Sequence, residues 1–240
     1  MMPALKEHAV LLHGLGETPW QMALIEGALQ AAGFGVTNLR YPSTEACTAE
    51  LADRFVRPLF DRFRDAPKLH FVTHSMGGIM MRYLLQDRQP ANLGRVVMLA
   101  PGHHGSQILE LYRRTRMFKE MFGPAGQEVG TGDHCFSCFL DDTAEYELGI
   151  IAGILSGDPL ANLVLSWPHD GRLSVETTRL HGMRDHTLVP ATHDHITFHP
   201  LAIFQTLQFL KTGRFFRITS SSSVPVPAGT RPAIFESTDA

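Results

Sequence analysis

The 240-residue chain predicts an α/β fold with a mostly parallel central sheet and helices on both faces. Three observations carry that expectation. Apolar runs of strand length, such as 8–13 (HAVLLH) and 69–74 (LHFVTH), alternate with stretches whose apolar residues recur at helical spacing. The run at 69–74 ends in a small-residue turn with Ser75 at its tip and then opens a helix. The run at 8–13 ends in His13-Gly14-Leu15-Gly16, a turn whose glycines leave its backbone amides open.

Each element follows from local chemistry. The first strand covers 8–13, and a helix over 19–32 carries Met22, Leu24, Ile25 and Leu29 before Gly33 and Gly35 close it. A second strand is expected over 36–41, stopped by Pro42. A helix over 48–64 sets Leu51, Phe55, Leu59, Phe60 and Phe63 on one stripe, with Pro58 as a kink. The third strand, 69–74, leads into a helix over 78–86, and the fourth, 95–100, stops at Pro101-Gly102. A helix at 107–121, a fifth strand at 148–155, a sixth at 178–182 and an amphipathic helix at 200–211 complete the alternation. The glycine-rich 123–142 reads as irregular. Residues 1–218 form one domain, and the Ser/Pro-rich 219–240 reads as a flexible tail.

Composition excludes several classes. With 44% hydrophobic residues, one sizeable core is expected. A net charge of −3 with both signs scattered gives no stripe for nucleic acid. No apolar stretch reaches bilayer length and no signal peptide is visible, and three cysteines suit a reducing compartment, so a cytoplasmic protein is expected.

The strand, sharp turn and helix around Ser75 match a nucleophile elbow, which holds a serine in strained geometry with its hydroxyl exposed. A serine needs a base to accept its proton, and the base needs an acid to fix its tautomer. In such a sheet these follow the serine in chain order. The candidate acids are Asp158, Asp170 and Asp185. Asp170 is favoured, because Pro168-His169-Asp170-Gly171 is a turn in which backbone amides can hold a carboxylate. Asp158 also reads as a plain turn and helix start. The candidate bases are His186, His193, His195 and His199, among which position alone does not choose. An oxyanion hole is expected from the amides of Met76 and Leu15.

Taken together, HGLG, THSMGG, PHDGRLSVE and the final VPATH resemble the α/β-hydrolase fold, and more narrowly its small bacterial lipase/esterase-like members, over about residues 8–215. The resemblance implies Ser75 as nucleophile, Asp170 as acid, His193 as base, and Leu15 and Met76 lining the oxyanion hole. Thr73 stands where the elbow signature has glycine. The implied activity is cleavage of a small-molecule or lipid carboxylic ester, with no metal or organic cofactor. Rival readings are acyl transfer by the same triad, a ligand-binding member without turnover, and a metal-dependent hydrolase on His193, His195 and His199. The segment 102–146 has room for a modest cap only, which favours short or medium acyl groups. Cys135 and Cys138 read as two buried thiols, His13 and the pair His103-His104 as residues that shape loops, and Arg113, Arg114 and Arg116 as a solvated face. Met117–Phe122 reads as core, or as a flap over an acyl pocket.

Overall fold

The computed structural model describes residues 5–217; the tail expected at 219–240 lies outside them. Six parallel strands form one sheet in the order β2-β1-β3-β4-β5-β6: β1 His8–Leu12, β2 Gly35–Asn38, β3 Leu69–His74, β4 Leu93–Leu99, β5 Leu148–Gly153 and β6 Asp185–Val189. The predicted architecture is the observed one. Residues of β1, β3, β4 and β5 alternate between two cores because successive side chains leave a strand on opposite faces. Val10, Leu12, Phe71 and Ile150 face one core, where α2 Thr48–Leu51, α3 Arg57–Arg62 and α4 Met76–Asp87 pack. Ala9, Leu11, Val72 and Ile151 face the other, covered by α1 Ala23–Ala31 and α8 Pro200–Thr212.

Several boundaries differ from expectation. The sixth strand is not 178–182 but Asp185–Val189. Leu180 is buried, yet its neighbourhood pairs only through an isolated bridge, Thr143 with His181. The real strand lies at the sheet edge with its middle part-exposed, so it carries Asp, His and Thr and lacks an apolar run. The helix expected over 48–64 is divided by a π-helical turn, Ala52–Val56, just before Pro58, which has no N–H to continue the ladder. β2 ends at Asn38, so Tyr41 leaves the sheet and its hydroxyl donates to the carbonyl of His13.

Between β4 and β5 lies the cap. The single helix expected at 107–121 is two, α5 Gln107–Tyr112 and α6 Arg116–Gly126, the second capped by the Thr115 hydroxyl. α6 reaches into the stretch read as irregular and kinks at Gly123, whose φ is 56° and where a Cβ would lie 1.9 Å from the Thr44 carbonyl oxygen. Two 3-10 turns, Gly132–His134 and Phe136–Phe139, fill the rest. Cys135 and Cys138 form a disulfide, with Cys138 exposed, which corrects the reading of two buried thiols. Arg113 is likewise buried against Glu110, its Nε donating at 2.6 Å, and this pairing draws the Glu110 carboxyl down to about 2. Only Arg114 and Arg116 form the solvated face. Buried Arg82 of α4 ties both ends of the cap down, donating to the carbonyls of His103, Leu140 and Asp141 at 3.0, 3.0 and 2.9 Å. A further helix, α7 Pro159–Val164, follows β5. Among the described residues no helix is long and apolar enough to cross a membrane.

Candidate functional site

Ser75 sits between the last residue of β3 and the first of α4 with φ 51° and ψ −119°, a conformation that non-glycine residues rarely adopt. Its neighbours permit it. The Ser75 amide donates to the Leu99 carbonyl of β4 at 2.9 Å, anchoring the turn to the sheet. At Gly14 a Cβ would come within 3.1 Å of the Ser75 Cβ and 2.9 Å of Glu17 Oε2, so the loop after β1 approaches the serine only because residue 14 is glycine.

Asp170 and His193 reach the same place from two later loops. Asp170 follows β5, in the turn Pro168-His169-Asp170-Gly171. Its Oδ1 accepts from the amides of Arg172 and Leu173 at 2.9 and 2.7 Å, leaving Oδ2 free to accept from His193 Nδ1 at 2.8 Å. The main chains are also joined, the His193 amide donating to the Asp170 carbonyl at 2.9 Å. On the other side of the ring, Nε2 lies 3.0 Å from Ser75 Oγ. Because Nδ1 donates to a carboxylate, Nε2 of the neutral ring is the bare nitrogen and accepts from the serine hydroxyl. Burial pushes the Asp170 carboxyl up, but the His193 ring and the two amides outweigh it and leave the carboxyl below its ordinary value. For His193 burial pushes down, and Asp170, with Asp194 and Glu17, outweighs it and holds the imidazole above 6.5.

The other candidates lie elsewhere. Asp158 caps α7, its Oδ1 accepting from Leu160 and Ala161. Asp185 opens β6, where it was expected to follow a strand, and accepts from the amides of Phe215 and His186. His186 is a residue of β6 and not of the loop after it, and it pairs with Thr178. His195 is exposed and contacts Thr192, and His199 accepts from the Leu201 amide at the start of α8. Thus the three histidines read as a possible metal cluster engage three separate partners. Among the described residues, no three His, Cys, Asp or Glu side chains converge as a metal site.

Beside Ser75, the amides of Gly14 and Gly16 are both taken, by Glu17 Oε2 at 2.6 Å and Ser43 Oγ at 2.9 Å. The Leu15 amide lies between them. Met76 is the first residue of α4, so its N–H belongs to the set that a helix leaves without an internal partner. A cavity of about 40 Å³ adjoins Ser75 and His193, lined on the sheet side by Met76 and Ile79 and on the cap side by Leu109, Val129 and Phe136. Met117–Phe122 does not cover it; Phe122 lies against Gly16, outside that cavity. His13 is buried, with Nδ1 3.0 Å from the Gly14 carbonyl and its ring stacked on Tyr41. His103 is fully buried, and burial and the nearby Arg82 and His104 push its imidazole well below its ordinary value, so it adds no charge beside Arg82.

Two polar residues without any assigned part also belong to this neighbourhood, Glu17 and His74. Their signal is long-range: the carboxylate and the ring are 57 positions apart in sequence and 2.9 Å apart in space.

Known proteins share this frame. The metagenomic carboxyl esterase MGS0156 superposes with a TM-score of 0.63 at 16% identity, covering 81% of this chain and 66% of that one. The mature lipase BlEst2 of Bacillus licheniformis does so at 0.65 and 20%, covering 87% and 93%. Phospholipase PlaB from Legionella pneumophila gives 0.64 and 17%, covering 88% and 60%. At these identities the likeness is one of fold. In sequence the chain is 30% identical over 125 residues to Esterase PIR7B of Oryza sativa subsp. japonica, and it spans less than half of that relative, 46%. Residues 9–221, which include every side chain of the site, match one family throughout, and the chain belongs to the alpha/beta hydrolase family.

Proposed function

We propose that the chain is a serine hydrolase that cleaves carboxylic esters through an acyl-enzyme on Ser75. The observation that carries this reading is the 3.0 Å contact of Ser75 Oγ with His193 Nε2, continued at 2.8 Å from Nδ1 to Asp170. In this reaction His193 Nε2 takes the Ser75 proton as Oγ bonds to the ester carbonyl carbon. Negative charge then gathers on the carbonyl oxygen, toward which the amides of Leu15 and Met76 donate. Each such preorganised donor is worth about a hundred- to thousandfold in turnover. Collapse of the adduct breaks the carbon–oxygen bond to the leaving alcohol, which receives the proton from His193. Water then repeats the sequence, with His193 as base, and frees the acid and Ser75 Oγ–H. Asp170 stays ionised throughout, fixing the tautomer and balancing the imidazolium.

The cavity supports a short acyl group. At about 40 Å³ it is small, which favours a short acyl tail. The cap residues Leu109, Val129 and Phe136 bound it.

The test is fluorophosphonate labelling followed by peptide mapping. The label is expected on Ser75, and Ser75→Ala is expected to lower turnover of a short p-nitrophenyl ester by about a millionfold without loss of fold. A label on another serine, or turnover retained by Ser75→Ala, removes the reading.

A further inference from the structure

Glu17 and His74 do not line the cavity beside Ser75, yet they tie together three segments that meet at Ser75. Glu17 Oε2 accepts from the Gly14 amide at 2.6 Å and meets His74 Nδ1 at 2.9 Å. His74, the residue before Ser75, is fully buried, and its Nε2 donates to the main-chain carbonyl of His193 at 3.1 Å. The Glu17 side chain is itself 18% exposed. One carboxylate and one ring thus connect the loop after β1, the end of β3 and the loop after β6.

The protons restrict what residue 17 can be. A carbonyl only accepts, so His74 Nε2 must carry a hydrogen. Nδ1 and Glu17 Oε2 then hold one proton between them, while the same oxygen accepts from Gly14. A glutamine cannot reproduce this. An amide oxygen at that site accepts from Gly14 but faces a bare Nδ1. An amide nitrogen there satisfies Nδ1 but opposes the Gly14 N–H.

We propose that Glu17 and His74 are a positioning pair that holds the Leu15 amide and the His193 main chain in register around Ser75. The inference rests on the ester-hydrolase reading above. The Leu15 amide follows directly on Gly14, so release of the Gly14 contact lets the adjoining peptide turn away from the developing oxyanion. Release of the His193 carbonyl loosens the imidazole against Ser75 Oγ. Both contacts matter most when charge develops, so their loss falls on kcat.

The experiment uses the full chain with Glu17→Gln. Against wild type, kcat per site titrated with fluorophosphonate is expected to fall about ten- to hundredfold, with KM for a short p-nitrophenyl ester changed less than about threefold. A trifluoromethyl ketone adds reversibly to the serine hydroxyl and forms an oxyanion, so its Ki is expected to rise by the factor by which kcat/KM falls. A merely structural Glu17 would lower the melting temperature and leave kcat per titrated site and Ki unchanged; that result overturns the inference. If Glu17→Gln does not fold, Glu17→Asp serves: its shorter carboxylate cannot span Gly14 and His74 together, so a several-fold loss of kcat is expected and wild-type kcat overturns the inference. A wild-type chain whose Ser75 does not label removes the hydrolase reading as well, whereas a labelled Ser75 with unchanged variant kinetics removes this inference alone.

Discussion

Ser75 directly follows β3, and Asp170 and His193 reach it from the loops after β5 and β6, strands whose registers are set by a six-stranded parallel ladder. Leu109, Val129 and Phe136, across the cavity, belong to a segment of two short helices, two 3-10 turns and a disulfide, with no strand of the sheet. The first group is tied main chain to main chain, the Ser75 amide to the Leu99 carbonyl and the His193 amide to the Asp170 carbonyl. The second is held by caps, by the Arg113–Glu110 pair and by Arg82 gathering carbonyls, contacts that can change one at a time. The difference teaches where, on the proposed reading, chemistry and selectivity reside: the loops above the sheet hold the reacting atoms, and the cap sets the volume beside them.

Asp170→Asn probes the first region and carries the largest expected effect. On the proposed mechanism the Asp170 carboxylate fixes the His193 tautomer, and its loss is expected to lower kcat about ten-thousandfold. The pH profile supplies a second readout. In the proposed mechanism His193 acts as base only when neutral, and Asp170 holds its ring above the ordinary 6.5, so wild-type kcat/KM is expected to fall as pH drops through a value above 6.5. In Asp170→Asn that acid limb moves to lower pH. A loss of only a few-fold, or an unmoved limb, places the acid elsewhere.

Phe136→Ala probes the second region. Widening the cavity is expected to raise kcat/KM for p-nitrophenyl octanoate over the butyrate by about tenfold, since each added methylene buried contributes about 0.8 kcal/mol, while turnover of the acetate stays near wild type. A wild-type preference for the octanoate would contradict the short-acyl reading. Asp158→Ala is the smallest effect and the control for both regions. It removes the cap of α7, which is expected to cost about 1 kcal/mol in urea unfolding and leave kcat/KM within a few-fold. A large kinetic loss there would move the acid from Asp170 to Asp158.

Legibility in the sequence followed the same division. β1, β3 and β5 are buried on both faces, so each is a continuous apolar run and each was readable. The turn at Ser75 and the glycine loop at 14–16 were readable because tight backbone approach demands small residues at set places. Asp170 was singled out by its turn chemistry, and the structure brings it, His193 and Ser75 within hydrogen-bond reach. β6 was misplaced because an edge strand needs apolar residues on one side only. The Glu110–Arg113 pair has i,i+3 helical spacing, but spacing does not tell that it is buried; the Cys135–Cys138 bond and the Glu17–His74 contact follow neither from periodicity nor from a turn signature.

Arg82 has a consequence for how the cap is anchored. Its guanidinium grips His103 at one foot of the cap and Leu140 and Asp141 at the other, so a single rivet on the elbow helix secures both feet of an arch. Such an arch is tied at both feet rather than hinged at one. Severing the rivet would free both feet at once.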